Sequence, residues 1–136
     1  MITLFYTGLL VFLALVLSFL TSKRRGETEN YLGLGDDFGM LQITRAHGNL
    51  IENALFFLLL SALLETVAQI PNIATMVLGD LFLISRIAHA YGITRPDAKS
   101  IYRVLGTLGT FLVLFIQSIL ALIASTSWLS NNNWGL

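Results

Sequence analysis

A chain of 136 residues in which 55% are apolar or aromatic and only 12% are charged has too little charge to cover a soluble domain, and at this length it holds one domain at most. Eight Lys and Arg balance eight Asp and Glu, so the basic field that would gather nucleic acid is missing and no nucleic-acid partner is expected. There is no cysteine, which excludes disulfides, thiolate metal sites and a cysteine nucleophile together.

The first apolar run, Ile2 to Thr21, carries no charge. Its length suits a helix across the ~30 Å hydrocarbon layer, which takes roughly 20 residues. A cleavable signal peptide competes for this run, but no Lys or Arg precedes it and no small-x-small site ends it. A polar loop follows from Ser22 to Met40, with Lys23, Arg24, Arg25, Glu27, Glu29, Asp36 and Asp37 among several glycines. The second helix is expected over 41–69, polar in its first half (Arg45, His47, Asn49, Glu52, Asn53) and Leu-rich from Ala54 to Leu64. Pro71 breaks the chain, because proline cannot extend the preceding helix without losing a hydrogen bond. A third span is expected over 72–93, then a turn at Arg95-Pro96-Asp97, then a fourth span over 101–128 and a polar tail with Asn131, Asn132 and Asn133. The fold class is an all-α integral membrane protein, a bundle of four transmembrane helices.

Orientation follows from the cations. Lys23, Arg24, Arg25 and Arg45 lie in or beside the first loop, and Arg95, Lys99 and Arg103 in or beside the third. The positive-inside rule puts those loops in the cytoplasm and both termini outside, with Trp128 and Trp134 at the outer interface.

A charge within a membrane helix costs at least a few kcal/mol. Arg45, Asn49 and Glu52 fall within about 60° of one another around the second helix and form one polar stripe, with His47 pointing roughly the other way. Arg86 and His89, three residues apart, share a face of the third helix, and the fourth opens with Lys99, Ser100, Tyr102 and Arg103. All three groups fall in the same half of the bilayer. Glu52 paired with Arg86 or Arg45, and Asn49 bonded across an interface, would glue the helices together. An ion or proton path is a second reading, opposed by the gathering of ionisable groups in one leaflet. The third is a pocket for an anionic ligand, with Arg gripping carboxylates and one acid left for an amine. Asp80 and Glu65, toward the other end, suit an interhelical contact and an interfacial position. Gly106 and Gly109 suit close helix packing. His47 and His89 are too isolated for a metal site, so none is expected.

The run Arg45-Ala46-His47-Gly48-Asn49-Leu50-Ile51-Glu52-Asn53, followed by Arg86-Ile87-Ala88-His89-Ala90-Tyr91-Gly92, resembles the MAPEG superfamily, the membrane-associated proteins in eicosanoid and glutathione metabolism. The resemblance extends to length, span number and the basic first loop, and it is closest to the bacterial members. It implies a homotrimer in a bacterial inner membrane, with glutathione as co-substrate between subunits near the cytoplasmic side and a lipophilic electrophile or hydroperoxide as partner. It also implies glutathione contacts at Arg45, His47, Asn49, Glu52, Arg86, His89 and Tyr102, with Arg24 or Arg25 reaching a neighbour's site. By the same resemblance, Arg103 looks like the arginine that stabilises the glutathione thiolate. The sequence departs from the family at Asn53 and Leu55, where members often carry tyrosine and proline, and at Gly48, where some carry arginine. A non-catalytic protein binding a small anion, or a structural bundle with ion-paired spans, is the alternative function.

Overall fold

The computed structural model describes residues 1–96 and 100–132, and the expectations placed on Asp97, Lys99, Asn133 and Trp134 lie outside the described residues. Four helices follow one another: α1 (Ile2–Glu27), α2 (Phe38–Thr66), α3 (Asn72–Ile93) and α4 (Ile101–Asn131). Each is long and apolar enough to cross a membrane, and the chain is a multi-pass integral membrane protein.

Contacts at the helix ends set an alternating up-and-down course. The Glu65 carboxylate, near the end of α2, accepts from the Met1 ammonium and from the N–H groups of Ile2 (2.8 Å) and Thr3 (2.7 Å), so it satisfies donors that the first turn of α1 leaves unpaired. Near the start of α2, the buried Gln42 amide donates to the carbonyls of Ile93 (2.8 Å) and Arg95 (2.6 Å) where α3 ends. A Cβ added at Gly92 would run into the backbone of Arg103, so the end of α3 lies directly on the start of α4. The first and third loops therefore share one end of the bundle, called the basic end below.

Buried residues form one stripe per helix. In α2 the stripe is Ala46, Leu50, Ala54, Phe57, Ser61 and Leu64, and in α4 it is Gly106, Thr110, Val113 and Gln117. This is the 3–4 spacing that keeps one face of a helix inward. Phe57 and Phe82 stack at 4.0 Å between ring centres in the middle of the core. Lipid tails are as apolar as Leu, so close packing and polar contacts hold such helices together rather than burial from water. Gly106 lies close against α3, since a Cβ there would overlap the Ser85 carbonyl oxygen and the His89 nitrogen, and Gly109 meets the Ser85 hydroxyl. Polar contacts tie the opposite end: the Tyr6 hydroxyl donates to Asp80 (2.6 Å), and the Gln117 amide donates to the Ser61 hydroxyl (2.7 Å).

Helix limits differ from the apolar runs for local reasons. Helix α1 continues beyond Thr21 to Glu27, where Glu27 pairs with Lys23 and Arg24 along one face. Helix α2 begins at Phe38, ahead of Leu41, because Asp37 caps it through the Met40 N–H (2.5 Å). It stops at Thr66 rather than Gln69, since Gln69 turns to φ 53, in the left-handed region. Helix α2 runs unbroken through Leu55, in keeping with the absence of proline there.

Candidate functional site

Depth at the basic end is read from Gln42, which lies level with the last turn of α3. At ~1.5 Å per residue, Asn49 on α2 and Arg86 on α3 both lie roughly 10 Å deeper than that level. They meet there: Arg86 Nη1 donates to Asn49 Oδ1 at 2.6 Å, and Nη2 donates to the Gly106 carbonyl at 3.0 Å. One guanidinium thus links α2, α3 and α4. Arg86 is only 2% exposed, its Nε has no hydrogen-bond partner among the described residues, and the Phe82 ring lies 5.8 Å from it. The Gly106 carbonyl also accepts from Thr110 Oγ1 (2.8 Å).

The rest of the polar stripe faces outward. Arg45 and Glu52 are exposed on the lateral surface of α2, on either side of the half-buried Asn49. Among the described residues neither forms an ion pair. The expectation that Glu52 pairs with Arg86 or Arg45 is therefore corrected. Arg86 turns inward to two neutral acceptors, and Glu52 points away from the core. Asn53 donates back to the Asn49 carbonyl of its own helix (2.8 Å).

His89 is buried against α4 one turn from Arg86, beside Gly106. His47 is half-buried and makes no side-chain hydrogen bond among the described residues. Arg103 is half-buried at the start of α4, over Gly92. Tyr102 packs edge-on against Tyr91 at 5.3 Å, and Arg95 lies over the Tyr91 ring at 4.6 Å. These groups border the same end of α3 and α4.

Arg24 and Arg25 lie elsewhere, engaged within their own chain. Arg24 grips Asp37 with two bonds, from Nε at 3.1 Å and Nη2 at 2.6 Å. Arg25 Nη1 holds the loop carbonyls of Tyr31 (3.0 Å) and Gly33 (3.2 Å). The hydrogen bonds from Arg24, then from the Met40 N–H, hold the Asp37 carboxyl below its usual range. The lock is therefore present above the unfolded-state value of ~3.9 and is lost only as pH falls through the lower folded value.

A cleft of about 370 Å³ opens beside Lys23, Arg24, Glu27 and Gln42, and an apolar groove of about 740 Å³ lies at the opposite end between α2 and α4, under Trp128. Arg45, Asn49, Glu52, Arg86 and Arg103 line neither. Arg45 and Glu52 stand on an open face of α2, with Asn49 half-buried between them.

Sequence reasoning passed over Gln42, whose only signal is a lone amide on the buried face of an otherwise ordinary first turn. It also missed Tyr6 as the partner of Asp80, because an aromatic in an apolar run gives no sign of its hydroxyl's destination.

Against known proteins, the MAPEG family model matches residues 3–123 of the chain. No curated protein matches it.

Proposed function

The chain belongs to the MAPEG family, and from that premise we propose that it is a glutathione-dependent membrane transferase or peroxidase acting on lipophilic electrophiles or hydroperoxides. Membership itself implies a membrane protein of glutathione-related transfer, peroxidase or related chemistry. The finer reading rests on one observation: Arg45 and Glu52 stand exposed on a span, with the Asn49 amide between them and no ion-pair partner among the described residues.

Glu52 lies ten residues beyond Gln42, roughly 15 Å deeper. A bare carboxylate at that depth against lipid costs a few kcal/mol or more. A second surface covering the stripe, with a ligand of complementary charge between, removes that cost. Glutathione has the right groups, with two carboxylates for arginines, one ammonium for Glu52 and a thiol. In this proposal three copies assemble with glutathione between them, and both chain termini lie outside the cytoplasm. Arg45 and Asn49 hold acceptor groups, and Arg103 favours the thiolate. A free thiol titrates near ~8.5, so a neighbouring guanidinium raises the nucleophilic fraction at neutral pH. The apolar co-substrate arrives through the bilayer, and transfer then needs proximity and an activated sulfur.

The test is thermal unfolding of the detergent-solubilised chain with and without glutathione. A specific ligand at 100 times its Kd adds about 2.7 kcal/mol of apparent stability. A rising midpoint that saturates with glutathione supports the reading, and an unmoved midpoint across millimolar glutathione refutes it.

A further inference from the structure

Resting on the glutathione reading above, we propose that Arg86 is a positioning residue: it acts on the ligand only through Asn49, whose amide it turns so that the NH2 edge faces the site. Arginine carries five N–H donors and no acceptor. The Asn49 atom 2.6 Å from Nη1 is therefore the carbonyl oxygen, since the opposite orientation would set donor against donor. The NH2 edge of the same planar group is directed away from Arg86. Its nitrogen makes no hydrogen bond among the described residues, and it is not sealed inside the protein. On the helix it is flanked by Arg45 and Glu52, both exposed.

Arg86 itself is held back from the surface. It is 2% exposed, and its second bond, to the Gly106 carbonyl, pins it against α4. That carbonyl is also the acceptor for Thr110, so two side-chain donors share one fixed point. Linking the helices gives a reason for an N–H donor here but not for a full charge. A buried charge carries a desolvation cost, and among the described residues Arg86 has no acid to offset it. Orientation of Asn49 does give a reason. An unclamped amide offers either edge to a ligand, whereas the clamped one offers donors only and so selects a carboxylate or carbonyl oxygen over an N–H.

Asn49→Asp separates the two edges, because it keeps an oxygen for Arg86 and replaces the NH2 by a second oxygen. The full chain in detergent is compared with Asn49→Asp, Asn49→Ala, Arg86→Lys and the Ala/Lys double variant, reading glutathione affinity by titration calorimetry and the thermal midpoint. Asn49→Asp is expected to unfold at or above the wild-type midpoint and to bind glutathione about tenfold more weakly or worse. Arg86→Lys is expected to weaken binding in the wild-type background and to change it less than about twofold in the Asn49→Ala background, as for residues acting as a unit. Wild-type affinity in Asn49→Asp overturns the proposal, as does an equal loss from Arg86→Lys in both backgrounds. Wild-type protein that binds no glutathione refutes the preceding reading instead. The amide orientation is then judged by Asn49→Asp alone, and a midpoint below wild type overturns it.

Discussion

Glu52 is the residue whose chemistry is most easily isolated, because it is an acid on an exposed face that it shares with Arg45. Glu52→Gln keeps its shape and removes its charge. Affinity for glutathione is expected to fall roughly tenfold or more, taking a charge-assisted bond at about 1.5–3 kcal/mol. Folding stability should stay near wild type, since Glu52 has no ion pair to lose among the described residues. Arg103→Leu is the counterpart for turnover: bound thiolate should appear only at higher pH, visible as lost thiolate absorbance near neutrality. Calorimetry and spectroscopy on the two variants check the separation, and equal effects of both on binding alone would refute it. The residue types of this site were legible in the sequence, because arginine, asparagine and glutamate within membrane spans have few innocent explanations. Their partners were not. Helical spacing puts Arg45, Asn49 and Glu52 on one face, but it cannot say that Asn49 turns inward to Arg86 while its neighbours turn outward. That choice depends on where α3 and α4 pack.

The four helices themselves were legible, since apolar runs of this length leave few other structures in a membrane. Both ends of α3 and the starts of α1 and α4 were legible too, but the end of α1 and the start of α2 were not, because polar side chains rather than hydrophobicity set them: Asp37 begins α2, and the Lys23, Arg24 and Glu27 pairs carry α1 past its apolar run. Close packing was half legible. Gly106 and Gly109 announced a helix contact, yet only the structure shows that Gly106 meets backbone atoms of α3, which cannot swing aside. Gly106→Ala is therefore expected to push α3 and α4 apart and to destabilise by the ~1–3 kcal/mol typical of overpacking. Gly8→Ala, at a position with open space on α1, is the control and should leave the thermal midpoint unchanged or slightly higher. Equal midpoints for the two variants would refute the claim that this interface is held by backbone contact.

For the whole molecule, the proposed orientation rests on the cations gathered at one end. The chain has no cysteine, so single-cysteine variants report cleanly. A cysteine at Ser130, in the last turn of α4, should react with an impermeant maleimide in intact cells. One at Leu32, 90% exposed in the first loop, should react only after lysis. The reverse pattern would put the polar stripe on the other side of the membrane. The helices that meet at Arg86 are unequal in height. At ~1.5 Å per residue, the 22 residues of α3 come to roughly 33 Å and the 31 of α4 to roughly 46 Å. The hydrocarbon layer is ~30 Å, so α3 spans it with almost nothing to spare. The shortest helix is thus the one that gauges the membrane, and it also holds Arg86. A thicker bilayer must thin around α3 or draw its ends under, at a fraction of a kcal/mol per ångström. Hydrophobic mismatch then acts first on the helix that orients the site, which makes lipid chain length a variable of its geometry.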